Sequence, residues 1–349
     1  MAWHIDPGIE EILKKGADLK GLNEHEAVTL LRLKLDSREV YALMETANRL
    51  SRLMFNNKGE NHFHIGLNIE PCPFNCSFCS LAESAQVFTK EKQFDEETIV
   101  SWARTAETFN ADAINVMTTG TYKFSKLLEI GKLLSGEVSI PLVANTRDIN
   151  HREGEQLLDA GFIGAYHAVR LGEGSDTPFQ VDKRIQTIQV LRNVGLLWMN
   201  CVEPVGPEHS ADEIARLMVF AHDYGAIYSG VMRRINFPGS PFEKYGMISE
   251  REVARMVAVS RLVMGDVPQA HCTHEPHTLS LLAGANLFFP EVGSSPRDRT
   301  EDTSQGRGTS IEMCRQMFKE VDWDPDSMSN CFTNLQKKNS DNIMQSVQG

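Results

Sequence analysis

The sequence predicts an α/β protein folded as a (β/α) TIM-type barrel, and three observations carry that prediction. From about residue 62 onward, short apolar runs alternate with helical stretches of about 10–15 residues, which implies a parallel sheet wound in βαβ units. Such units recur through about residue 240, at least six of them by the count of strand-like runs, which makes a closed barrel the economical arrangement. The 349 residues are enough for one large barrel with additions, or for two ordinary domains. In barrels of this kind the working side chains sit where strands end and loops begin.

Taken in order, residues 1–58 read as a helical extension packed across the bottom of the barrel. Asn23 stands as a cap with Glu26 three residues on. Leu30, Leu31, Val40, Leu43, Ala47 and Leu50 recur near helical spacing. Residues 59–240 form the barrel core. Phe63–Ile69 is its first strand, and a helix over 95–108 with an acidic first turn leads to a second strand, Ala113–Met117. Helix 124–135 leads to Pro141–Asn145, helix 151–160 to Gly164–Val169, helix 182–194 to Leu196–Cys201, and helix 211–223 to Gly230–Ile235. Residues 241–325, with a helix over 249–264, complete the barrel. Residues 326–349, rich in Asn, Ser, Gln and Lys, read as a flexible tail.

Composition narrows the function classes. A net charge of −12 argues against a nucleic-acid backbone as the main partner. The longest apolar runs fall far short of the roughly 20 residues of a membrane helix, and the N-terminus lacks a basic region followed by an apolar run. Seven cysteines in this length do not make a disulfide framework. A reducing, cytoplasmic compartment is expected.

Just after the first strand comes Cys72-Pro-Phe-Asn-Cys76-Ser-Phe-Cys79. Three thiols in so tight a loop can be aimed at one point, and soft sulfur ligands select iron–sulfur clusters, zinc or copper. A C-x-x-C redox pair would not need the third cysteine; a chance cluster of buried thiols is the plain alternative. The C-x3-C-x2-C spacing, with the aromatic Phe78 directly before the last cysteine, resembles the signature of the radical S-adenosylmethionine (SAM) family. Leu282-Ala283-Gly284-Ala285-Asn286 resembles the end of the biotin-and-thiamine-synthesis-associated (BATS) domain. Together they resemble the biotin synthase-like branch, which holds biotin synthase, the hydrogenase-maturation enzyme HydE, methylornithine synthase and a maturase of the iron–guanylylpyridinol cofactor. The resemblance spans roughly residues 20–325.

That resemblance implies one [4Fe–4S] cluster on Cys72, Cys76 and Cys79, with the remaining iron open to SAM. It also implies an electron donor such as flavodoxin or ferredoxin, an anaerobic setting, and a small-molecule substrate from which hydrogen is abstracted, with cofactor biosynthesis as the setting. Phe78 would offer its backbone to the adenine. Met117-Thr118-Thr119-Gly120 stands at the place of the motif for the SAM amino group. Arg184 aligns with an arginine offered to the SAM carboxylate, for which a guanidinium fork is suited; an exposed helix arginine is the alternative. Val205, in Val202–Glu208, matches a motif that packs against adenine. His167, Arg170 and Glu173 match a strand end that contacts the ribose and substrate, or are ordinary surface charge.

Cys201 is read as the single inward thiol and a candidate for chemistry. His271, His274 and His277, with Cys272 and Glu275, offer substrate contacts, a structural role or a metal site, although their spacing is no recognised ligand pattern. Arg297, Arg299 and Arg307 could clamp an anionic substrate or be solvated. Where biotin synthase carries the cysteines of its second cluster, this sequence has Val116, Ala144-Asn145-Thr146 and Met199, so sulfur insertion from a sacrificial cluster is not expected. Two other readings are a lipoyl synthase component working with a partner subunit, and a non-catalytic iron–sulfur maturation scaffold.

Overall fold

The computed structural model describes residues 4–145, 147–327, 329, 331 and 332. Its strands are β1 (Glu60–Gly66), β2 (Asn68–Ile69), β3 (Lys92–Gln93), β4 (Ala113–Met117), β5 (Leu142–Asn145), β6 (Phe162–Tyr166), β7 (Leu197–Met199), β8 (Val202–Val205), β9 (Tyr228–Arg233), β10 (Ala270–Thr273), β11 (Leu287–Phe288) and β12 (Glu291–Gly293). Three helices precede them, α1 (Pro7–Ala17), α2 (Glu24–Leu31) and α3 (Arg38–Met54). Among them run α4 (Glu96–Thr108), α5 (Phe124–Glu137), α6 (His151–Asp159), α7 (Val181–Val194), α8 (Ala211–Asp223), α9 (Glu250–Met264) and α10 (Thr278–Leu282), with α11 (Ile311–Glu320) last.

Ten strands form one sheet in the order β7-β6-β5-β4-β1-β11-β10-β9-β8, with β12 also beside β1, and the pairs are parallel. The two ends of this order meet. Only Asn200 and Cys201 separate β7 from β8. The Ile227 N–H donates to Trp198 O at 3.0 Å and the Asn200 N–H to Tyr228 O at 3.1 Å. These bonds stitch β7 to the start of β9, whose later residues pair with β8. The curled sheet thereby closes into the expected barrel.

Burial on both faces explains why the strands read as near-continuous apolar runs. The inside is filled by Met199, Cys201, Tyr228, Met232, Cys272, Leu287 and Phe289, with Cys331 and Phe332 joining this cluster. On the outside, α4–α7 pack over Ile65, Ile114, Leu142 and Trp198. The N-terminal helices pack instead with α8 and α9, through Leu13, Leu30, Leu43 and Leu50 against Met218, Val257 and Leu262. Asn23 and Glu26 form the anticipated capping box, and Asn150/Glu153, Ser210/Glu213 and Ser249/Glu252 do the same for α6, α8 and α9.

Three expectations change. The first strand starts at Glu60 and breaks at Leu67, and Asn68–Ile69 turns away to pair antiparallel with β3. The run through Leu196–Cys201 is not one regular strand, since it breaks after Met199. The tail expected from residue 326 is not loose at Cys331 and Phe332, which are buried; residues 333–349 and Thr146 lie outside the described residues. Among the described residues no helix is long and apolar enough to cross a membrane.

Candidate active site

A cavity opens at the C-terminal ends of the barrel strands. Cys72, Cys76 and Cys79 form one wall, and Met117, Thr118, Thr119, His167, Arg170 and Arg184 lie around it. The cysteine loop is folded on itself. The Cys72 N–H donates to Leu81 O at 2.8 Å, Glu83 N–H to Cys72 O at 3.0 Å and Cys79 N–H to Cys76 O at 3.0 Å. Asn75 takes φ +51°, a left-handed turn that asparagine tolerates, and its side chain accepts from the Ser84 N–H at 2.7 Å. Outside anchors are the Ser77 N–H to Asp176 O and the Ser80 N–H to Pro296 O, each 2.8 Å. Phe74 reaches back under Gly120, where a Cβ would lie 2.5 Å from its ring, so Gly120 is what lets the loop dock on the end of β4.

All three thiols are free. Burial pushes Cys76 up to about 11, against the pull of Arg170, and burial pushes Cys79 up to about 12. Left alone, Cys76 and Cys79 are neutral thiols at pH 7. As thiolates they need a positive centre between them, and three soft donors without a fourth cysteine on the loop suit an iron cube with one open corner.

Opposite the loop lies a network of charged groups. Tyr166 Oη donates to Glu203 Oε2 at 2.6 Å, and Arg170 Nε sits 2.9 Å from Glu203 Oε1. Burial works against the Arg170 charge, but Glu203 and Glu173 hold it firmly protonated. Arg184 is buried rather than exposed on its helix; it donates to Asp148 Oδ1 at 3.1 Å and stacks 4.1 Å over the Phe179 ring. His167 Nε2 is 3.1 Å from the same Asp148 oxygen, and burial, partly offset by Asp148, keeps its pKa low. Thr119 is tied to Asn68 by a 3.0 Å bond from its N–H, and its hydroxyl donates to Glu70 Oε2 at 3.1 Å.

Of the residues singled out from sequence, Phe78, Met117, Thr118, Thr119, Arg184, His167, Arg170 and Cys201 share the cavity with the three cysteines. Two do not line it. Val205 packs outward with Val202, Ile214 and Met218, because the pairing of β8 shifts register between Val202 and Val205 and so breaks the regular alternation of faces. Its neighbours Glu203 and Pro204 line the cavity instead. Glu173 works from behind: it accepts from the Arg170 N–H at 2.9 Å and from Thr177 Oγ1 at 2.7 Å.

Cys201 is not the only inward thiol. Cys272 shares the barrel interior and its Sγ lies 3.9 Å from Asn200 O, while Cys331 enters from below. The three histidines of the 271–277 segment do not converge. His271 Nε2 meets Val257 O at 2.9 Å, His277 caps α10, and only His274 faces the cavity. There His274 and His64 stand 5.9 Å apart. Behind His274, Arg297 is bound by Glu275 and Glu291, and Arg307 bonds the same two carboxylates at 3.0 and 3.2 Å. Sequence reading missed Glu203, Asp148, His64 and Tyr166. Tyr166 ends β6 and Asp148 closely follows β5, and that position was the available signal for them; His64 and Glu203 lie within β1 and β8.

No protein-family model matches the chain. It is 24% identical over 303 residues to the biotin synthase of Acetivibrio thermocellus, covering 79% of this chain and 91% of that protein. The methylornithine synthase PylB structure superposes with a TM-score of 0.76 at 15% identity, covering 91% of this chain and 98% of the other. The hydrogenase maturase HydG from Carboxydothermus hydrogenoformans gives 0.71 at 16% identity, over 90% and 78%. The two structures share the fold; the similarity in sequence is with biotin synthases. Sequence similarity and fold together support reading the chain as a radical SAM enzyme of the biotin synthase-like kind.

Proposed function

We propose that this chain holds one [4Fe–4S] cluster through Cys72, Cys76 and Cys79, binds SAM in the adjoining cavity, and abstracts hydrogen from a small, polar, carboxylated molecule in a cofactor-building pathway of the cytoplasm. The observation that carries it is that three unpaired thiols share one cavity with two arginines, the buried Arg184 and the partly exposed Arg170. When bound, the cluster supplies one electron, drawn from a flavodoxin- or ferredoxin-type donor, that cleaves SAM to a 5′-deoxyadenosyl radical. The chain's own residues do the rest. Arg184, fixed by Asp148 and Phe179, presents a guanidinium to the SAM carboxylate. Phe78 offers its backbone to the adenine, and Met117 and Thr118 face the same space. His167 and Arg170, set by Asp148 and Glu203, offer polar contacts to ribose and substrate. His64 adds a buried Nε2 without a partner at the cavity wall, a group that gains a hydrogen bond when a polar substrate enters.

Anaerobic reconstitution followed by iron and 5′-deoxyadenosine assays tests this reading. About four irons per chain and SAM cleavage are expected, with both lost in Cys76→Ala. A full cluster without cleavage would instead make the protein a maturation scaffold. Iron well above four would restore a sulfur-inserting cluster, for which Cys201 and Cys272 would be the ligands to examine. A requirement for a protein-bound acyl chain would favour the lipoyl synthase reading.

A further inference from the structure

At the opposite end of β1 from the cysteine loop lies a second set of donors. Glu60 and His62 are two residues apart on one strand, so their side chains share a face and point into the barrel. Cys331 comes up beneath them from the segment after α11. One donor atom from each of Glu60, His62 and Cys331 lies within 4.8 Å of the others, and all three residues are fully buried. His62 Nε2 is 3.1 Å from Glu60 Oε2, and the Cys331 N–H donates to Glu60 Oε1 at 3.1 Å. The other ring nitrogen, His62 Nδ1, has no hydrogen-bond partner among the described residues. Tyr228, Phe289 and Phe332 surround the imidazole with ring centroids 5.3 to 6.1 Å away.

We infer that this floor is a closed site for one zinc-class divalent cation, held by Cys331, His62 and Glu60. The charges favour it. Among the described residues, two buried carboxylates, Glu60 and Asp112, face one ammonium, Lys58, which is 3.1 Å from Asp112. A dication with the Cys331 thiolate brings that sum to zero, and a sulfur–imidazole–carboxylate set suits zinc. A second trio, His64, His274 and Glu291, has the same donor spacing. There Arg297 and Arg307 already match Glu275 and Glu291, so a dication would be left uncompensated beside two guanidiniums. Zinc on the floor fastens the chain end to β1 and seals the barrel from below.

The test uses full-length protein, grown with zinc supplied, reconstituted with iron and freed of loose metal by EDTA. About one zinc per chain is expected beside the iron, with X-ray absorption showing a single sulfur near 2.3 Å and otherwise nitrogen or oxygen ligands. Cys331→Ser and His62→Gln should each cut the zinc at least fivefold while leaving iron unchanged. Wild type measured alone keeps the inference falsifiable if a variant fails to fold. Zinc below a tenth of an equivalent in wild type would overturn it. So would three or more sulfur ligands, which would put the metal on the cysteine loop, or zinc retained in both variants.

Discussion

Arg184 shows how one side chain can be prepared for an anion it does not yet hold. Asp148 and the Phe179 ring fix its guanidinium, and Glu173 Oε1 stands 3.6 Å from its Nε, yet it still lines the cavity. Lysine in its place would keep the charge and lose the planar fork. We expect Arg184→Lys to weaken SAM binding about tenfold, roughly 1.4 kcal/mol, with iron content unchanged, as read by equilibrium binding to the reconstituted protein. Unaltered affinity would confine Arg184 to holding Asp148 in place. The cavity positions of the cysteines, His167 and Arg170 were legible in the sequence because motif spacing and a strand end mark them, whereas Arg184, on α7, was reached only through the resemblance. The partners of these arginines were not legible, since Asp148 and Glu203 meet them only through the closing of the barrel, across 36 and 33 residues of chain. Val205 misled for a local reason: alternation of faces holds only in a regular strand, and β8 is not one.

At the level of elements, the cysteine loop depends on how closely β1 approaches the chain after β12. Gly66 ends β1 six residues before Cys72, and a Cβ there would stand 2.0 Å from Ser294 O and 2.5 Å from Ser294 N. Both obstacles are backbone, so neither can rotate away. Gly66→Ala must push β1 and β12 apart, which costs on the order of 1–3 kcal/mol, about 1–4 °C in a thermal midpoint for a chain of this size. Iron uptake should fall with it, because the segment after Ser294 also anchors the cysteine loop through the Ser80 N–H to Pro296 O bond. Gly136→Ala is the control: it sits in α5 with nothing within 4 Å of the new methyl group, and alanine there should leave both readings intact or raise stability slightly. Equal midpoints for the two variants would show that β1 tolerates the wider spacing. Helix caps and periodicity were readable because they are local signals. The turn of Asn68–Ile69 away from the sheet was not, since it follows from pairing with β3, more than twenty residues on.

The whole molecule carries its histidines in a way that sets its acid limit. His64 on β1, His271 on β10 and His277 at the start of α10 are buried, and burial is the main cause that pulls them down to about 4, about 3 and about 4. In the unfolded chain each titrates near 6.5. Between pH 6.5 and about 4 the unfolded chain therefore takes up protons that the folded one refuses. The stability these groups contribute is fully present above 6.5 and drains away as pH falls through that window, by an amount on the order of several kcal/mol in all. His277 allows the clearest test, because its imidazole accepts the Ser280 N–H at 3.3 Å as the cap of α10 and can do so only while neutral. Asparagine is a good cap with no proton to gain. Urea denaturation followed from pH 7.5 to 4.5 should show a steep loss of stability in the wild type and a shallower one in His277→Asn, with the two curves close together above pH 7. Parallel curves across the whole range would mean that His277 does not contribute to the acid limit, which would then rest on the other buried imidazoles, His64 and His271.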